Sequence, residues 1–209
     1  MSVPRLVLAT HNPHKVAELR AILAAAGVPS DDVVGAADVG ATSPVEDGVT
    51  FAENALIKAR ALVVATGLAA VADDSGLAVD GLGGAPGIFS ARWAGSHGDD
   101  AANLALLLDQ LADVRAEHRG AEFVCAAALV TPDGVERVET GVMRGRLTFA
   151  PRGSGGFGYD PVLEPDEQPA RATSVLTSAE LTPEEKNAIS HRGRAFRALA
   201  PAIAAVLVG

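Results

Sequence analysis

Apolar runs of strand length alternate with segments whose apolar residues recur every three to four positions, from Arg5 to the end of the chain. Strand-length runs need partners in a sheet, and helical runs between them have an apolar stripe to lay on that sheet. The alternation therefore predicts an α/β fold: a mixed, twisted sheet with helices around it. Arg5–Thr10 (RLVLAT) reads as the first strand. Asn12 and Pro13 follow as a helix cap and first helical residue, with Val16, Leu19 and Leu23 at helical spacing and Gly27 at the end. Thr50 and Glu53 form a capping-box pattern ahead of Ala55, Leu56, Ala59, Leu62 and Val63, and Gly67 closes that helix. The run LAAVAD (68–73) predicts a buried strand that ends in a tight turn at Asp74-Ser75-Gly76, with a separate run LAVDGL (77–82) after it. A third helix is expected from Asp99 to Leu111. Two long strands are expected between Ala121 and Leu147, joined at Pro132-Asp133-Gly134. Thr182, Pro183 and Glu185 open a short helix, and a last helix begins near Ser190 with Phe196, Leu199 and Ile203 on one face. No repeat and no Ser/Gly linker divides the chain, so residues 1–209 are expected to form one domain, perceived as two lobes around a cleft.

Composition narrows the class. Of 209 residues, 48% are hydrophobic and 21% charged, which supports a packed core and excludes a disordered chain. Cys125 is the single cysteine, which rules out a disulfide framework and a cysteine-based zinc site. The net charge of −9 argues against charge-driven binding to nucleic acid. The apolar tail 198–209 is shorter than the roughly 20 residues of a membrane span, and Pro201 interrupts it. The expectation is a soluble, cytoplasmic protein without a nucleic-acid or membrane partner.

Four clusters carry chemistry. Thr10, His11, Asn12, Pro13, His14 and Lys15 lie between the first strand and first helix, where free N–H groups and the helix dipole suit phosphate; they equally suit an ordinary helix cap. Asp73 and Asp74, followed by Ser75 and Gly76, place two carboxylates after a buried run, suited to Mg²⁺ or to a base for water; the competing reading is a self-capped turn. Glu46 and Glu53 are further carboxylates for the same ion, although Glu53 already has a capping role. Residues 153–161 contain a formal G-x-G-x-x-G, but no strand–turn–helix context supports a dinucleotide fold. With Phe157, Gly158, Tyr159 and Asp160 that loop instead suits a flat base, or it is simply a surface loop. Lys186, His191 and Arg192 supply donors for an acceptor-rich ligand, or form a solvated helix start.

Taken together, LATHNPHK, FAENALIKA, ADDSGLAVDGLGGAPGIFSARW, GGFGYDP and LTPEEKNAISHRG resemble, in order and over nearly the whole chain, the inosine triphosphate pyrophosphatase (Ham1-like) family. The resemblance implies an elongated α/β fold with the site in a central cleft between two lobes, and a homodimer. It implies Mg²⁺-dependent hydrolysis of ITP, dITP and XTP to the monophosphate and pyrophosphate, which clears deaminated purines from the nucleotide pool. Thr10 to Lys15 would hold the triphosphate. Glu46 and Asp74 would hold Mg²⁺, with Asp74 also taking the proton of the attacking water. Ser75 would touch substrate, and Phe157, Gly158, Tyr159, Asp160, Lys186, His191 and Arg192 would surround the nucleotide. The 6-oxo group of hypoxanthine or xanthine is an acceptor where adenine has a donor, so donors such as His191 and Arg192 would discriminate between them. The alternatives are the same chemistry on another modified or standard nucleotide, and a nucleotide sensor without turnover.

Overall fold

The computed structural model describes residues 5–10, 13–25, 27 and 33–208. Six strands hydrogen-bond in the order β2-β1-β3-β4-β5-β6. They are β1 (Leu6–Leu8), β2 (Val33–Gly35), β3 (Ala69–Val79), β4 (Gly120–Val130), β5 (Glu136–Leu147) and β6 (Leu163–Pro165). β1 runs parallel to β2 and to β3, whereas β5 and β6 are antiparallel, so the sheet is mixed as expected. The helices are α1 (Pro13–Ala25), α2 (Phe51–Thr66), α3 (Asp100–Gln110), α4 (Pro183–Ile189) and α5 (His191–Val208). None is long and apolar enough to cross a membrane among the described residues.

The chain divides into two compact units. The first comprises residues 1–74, 125–141 and 192–209, and the second 75–124 and 142–191. In the first unit, strand residues alternate between two buried faces. Leu6, Leu8 and Val71 pack with Leu19 and Leu23 of α1 and with Phe196, Leu199 and Ile203 of α5. Val7, Ala70 and Ala72 face the other way, toward Ala55, Ala59 and Leu62 of α2. A sheet covered on both sides needs apolar residues at every strand position, which is why these strands read as unbroken apolar runs. The second unit has its own core of Leu77, Val79, Leu107, Leu111, Phe123, Met143, Tyr159 and Val162.

The caps largely follow the sequence. Thr50 Oγ1 accepts the Glu53 N–H, and Gly67 ends α2 at φ +68°. The Glu53 carboxylate, however, takes the N–H of Val49 rather than that of Thr50. Thr182 and Glu185 form a reciprocal capping box at α4. Asp99 caps α3 by accepting from the Ala102 N–H. Pro201 lies within α5 and does not end it.

The expected turn after Asp73 is absent as well. Asp74-Ser75-Gly76 is no turn, because β3 continues through it from Ala69 to Val79. None of the three residues takes a positive φ. β1 pairs only with Ala69–Val71, so β4, the other neighbour of β3, is the strand beside the segment, which stays extended where local Asp-Ser-Gly chemistry favours a bend. The short strands β2 and β6 are additions that three residues cannot announce by periodicity.

Candidate active site

In the first unit, strand geometry separates the two adjacent carboxylates. Neighbouring residues of β3 point to opposite faces, so Asp73 and Asp74 serve different surroundings. Asp74 Oδ1 accepts from Lys58 Nζ at 2.9 Å, and its Oδ2 lies 3.4 Å from Asn54 Nδ2. The same Lys58 ammonium reaches Glu46 Oε2 at 3.1 Å. One cation of α2 thus joins both carboxylates proposed for metal binding.

The local sequence explains how they meet. Asn54 and Lys58 are i, i+4 neighbours on α2, beside the core residues Ala55 and Ala59. They therefore sit at the border of the buried stripe, within reach of the sheet. The loop carrying Glu46 is drawn in because Gly48 donates its N–H to Asn54 Oδ1 at 2.9 Å. A Cβ at position 48 would stand 2.7 Å from that oxygen and 2.7 Å from Glu53 Cβ, so the close approach requires glycine.

Burial pushes the Asp74 carboxyl above its ordinary range, with Glu46 adding to the effect, and Lys58 only partly opposes it. Burial alone would lower the Lys58 ammonium. The charges of Asp74, Glu46 and Asp73, with the hydrogen bond from Asp74, outweigh it and hold Lys58 in its charged form. A carboxylate with raised proton affinity beside a permanent cation is chemically suited to receive a proton.

On the opposite face Asp73 is buried against Arg192, near the start of α5. Arg192 Nε and Nη2 both donate to Asp73 Oδ2, at 3.1 and 2.9 Å. Thr10, also buried, follows β1, and its carbonyl accepts the Ala36 N–H. A small hollow lined by Thr42, Ser43, Pro44 and Lys58, among others, adjoins the carboxylate cluster. Pro13, His14 and Lys15 form the first turn of α1 as expected, and their side chains lie outside the described residues. His11 and Asn12 lie outside the described residues altogether.

In the second unit the glycine-rich loop is tied down. Gly155 donates to the Ala179 carbonyl at 3.0 Å, and a Cβ at Gly153 would stand 2.7 Å from that same peptide group. At Gly156, with φ +74°, a Cβ would run into the Asp160 carboxylate. Asp160 is buried and accepts both the Phe157 N–H, at 2.8 Å, and Lys186 Nζ, at 2.6 Å. The Lys186 ammonium also lies 5.0 Å from the centre of the Phe157 ring. Phe157 itself is 62% exposed, a large aromatic surface left in water. Gly158 donates to Asp100 Oδ2 at 2.9 Å.

Tyr159 belongs to the core, and its hydroxyl donates to the Ser90 carbonyl at 2.9 Å. Burial pushes its phenol up, so it is a neutral donor. Its neighbours in the loop make it resemble a base-stacking ring, yet its ring fills the interior. His191 is buried and stacks on Phe123, ring centres 5.0 Å apart at 21°. Ser75 is half-buried in β3.

The structure thus brings Asp74 together with Glu46, and Phe157 with Asp160 and Lys186. Sequence reasoning passed over Lys58, Asn54, Phe123 and the pairing of Asp73 with Arg192. The available signal was a polar residue on each side of the apolar positions of α2, at helical spacing.

The model of the Ham1 family matches residues 6–202. A dITP/XTP pyrophosphatase of Streptomyces coelicolor is 63% identical over 97% of this chain and 98% of its own length. A dITP/XTP pyrophosphatase of Corynebacterium efficiens is 54% identical over 96% of this chain and 97% of its own. Among solved structures, a nucleoside-triphosphatase / dITP/XTP pyrophosphatase from Mycobacterium abscessus aligns with a TM-score of 0.75 at 54% identity, over 94% of this chain and 98% of that one. A HAM1 protein from Coxiella burnetii aligns with a TM-score of 0.84 at 37% identity, over 96% and 98%. With the sequence matched from the first strand into the last helix, and the mixed α/β fold matched as well, this chain belongs to the Ham1 family.

Proposed function

We propose that this chain hydrolyses the non-standard purine nucleoside triphosphates ITP, dITP and XTP to the monophosphate and pyrophosphate, with Mg²⁺, acting as one catalytic domain. The observation that carries the chemistry is Asp74, a partly buried carboxylate with one oxygen held by Lys58 and a raised affinity for protons. The substrate class is supported by relatives named dITP/XTP pyrophosphatase, 63% and 54% identical over nearly the whole chain.

In this reading a water molecule attacks the α-phosphorus, the bond to the α–β bridging oxygen breaks, and pyrophosphate leaves. Asp74 takes the proton that the water loses. Lys58 keeps that carboxylate fixed in place, and the Gly48–Asn54 bond holds the Glu46 loop beside it. Asp74 and Glu46 offer hard oxygen donors that already converge on one cation, which fits Mg²⁺. When bound, that ion supplies neutralising charge to the phosphates. Residues 10–15 hold the triphosphate, where the N-terminus of α1 and Lys15 add positive charge. Ser75 contacts substrate. Phe157 offers its exposed ring to the base, with Gly158, Asp160 and Lys186 shaping that wall and Tyr159 bracing it from the core. His191 and Arg192 supply donors for a 6-oxo group, an acceptor in whose place adenine carries an amino donor. A homodimer in the cytoplasm, close to the nucleotide pool, completes the proposal.

Phosphorus NMR of the products of XTP hydrolysis tests the reaction. Equal amounts of monophosphate and pyrophosphate are expected. Diphosphate with inorganic phosphate would reject cleavage at the α–β anhydride.

A further inference from the structure

We infer that Asp73 is a positioning residue for base selection, acting through Arg192; the inference rests on the reading that Arg192 faces the base. Both side chains are nearly enclosed, 4% and 8% exposed. Two N–H groups of one guanidinium, Nε and Nη2, converge on a single oxygen of Asp73. A guanidinium is planar and rigid, so pinning those two directions fixes where its remaining N–H groups point. Arginine otherwise has long, flexible stem torsions, and selection between an acceptor and a donor at one ring position requires a fixed donor direction. A displacement of about 1 Å is enough to cost such a site a large factor.

Strand alternation makes the arrangement economical. Asp74, one residue on, points to the other face of β3 and meets Lys58, so one dipeptide serves two separate sets of partners. A buried ion pair is weak grounds for a purely stabilising role, since apolar replacements are often as stable. Placement at the first turn of α5, next to His191, is what a device for aiming a donor requires.

The test is a double-mutant cycle read as the ratio of kcat/KM for ITP to that for ATP, with Asp73→Asn, Arg192→Ala and the double variant, in Mg²⁺. Each single variant is expected to lower the ratio roughly 10-fold or more. With Arg192 already alanine, Asp73→Asn is expected to change the ratio less than about 3-fold. Independent effects of similar size in both backgrounds would overturn the inference. So would a higher Mg²⁺ requirement in Asp73→Asn with the ratio unchanged, because Asp73 would then serve the metal. Should Asp73→Asn fail to fold, Asp73→Glu keeps the charge and shifts the guanidinium by one methylene. It is expected to fold and still lose selectivity, and full retention of the ratio would overturn the inference. Wild type that fails to hydrolyse ITP would defeat the proposed function itself, a result separate from any outcome of the cycle.

Discussion

Replacing Lys58 by methionine removes the cation from between two carboxylates while keeping a side chain of similar length. Its ammonium lies 2.9 Å from Asp74 and 3.1 Å from Glu46, and the three side chains are 13%, 14% and 32% exposed. Hydrogen bonds to charged groups contribute about 1.5–3 kcal/mol each. Glu46 regains water more easily than Asp74, so its bond counts toward the lower end, and the methionine stem recovers some packing. The net loss at neutral pH is about 2–4 kcal/mol. The loss carries a pH signature. Burial already places the folded-state pKa of Asp74 above its ordinary value despite Lys58, and removing Lys58 raises it further. A carboxyl with a raised folded-state pKa binds its proton more tightly in the folded state. Its contribution is then fully present below the unfolded value, near 4, and is lost as pH rises toward the folded value. The variant therefore nearly matches wild type near pH 4 and falls progressively behind toward pH 7. Lys58 itself stays charged through this range, because its raised pKa moves its deprotonation above the ordinary value of 10.5, so the growing gap follows the ionisation of Asp74. Urea unfolding of both proteins from pH 4 to 8 measures the gap. A gap equal at pH 4 and pH 7, or below about 0.5 kcal/mol throughout, would refute the assignment of Lys58 as counterion.

Asp74→Asn is expected to unfold at a similar urea concentration and to lose roughly 10²–10⁴-fold in kcat; a kcat within a few-fold of wild type would remove Asp74 as proton acceptor. Phe157→Ala gives up mostly exposed surface, so stability is expected to hold while KM for ITP rises by a stacking loss of about 1–3 kcal/mol; an unchanged KM would detach the ring from the base. Phe196→Ala opens the core beneath α5 and is expected to cost about 3–5 kcal/mol by denaturant unfolding; a cost under about 1 kcal/mol would contradict that packing. The hydrogen bond from Arg171, with the Thr182 N–H, holds the Glu185 carboxyl down to about 2, so its contribution is present above 4.5 and lost as pH falls toward that value. Glu185→Gln should lag wild type at pH 6 and converge with it near pH 2, and a pH-independent difference would exclude the linkage.

What could be read in the sequence was whatever a local pattern specifies. Val16, Leu19 and Leu23, or Phe196, Leu199 and Ile203, declare a helix and its buried face at once, and the structure places Leu19, Leu23 and the latter three in one cluster. Thr182 and Glu185 declare a helix start by their reciprocal bonds. Asp74-Ser75-Gly76 reads as a turn because its local chemistry favours one, while the strand beside it in the sheet, β4, is distant in the chain. The carboxylates Asp74 and Glu46 were visible as types. Lys58 was not, because one lysine on a helix looks like a solvated side chain, and only the packing of α2 turns it inward. The reverse holds for Tyr159, whose neighbours suggest a ligand wall and whose ring fills the core.

The most direct test of the central proposal is pyrophosphate release from ITP, XTP, dITP, ATP, GTP and dTTP, each with Mg²⁺ and with EDTA. Release is expected from the first three, abolished by EDTA, and little from ATP, whose 6-amino group is a donor where the three substrates carry an acceptor. Equal release from all six would contradict the base-selection account. Binding of ITP without release of pyrophosphate would contradict the enzyme itself.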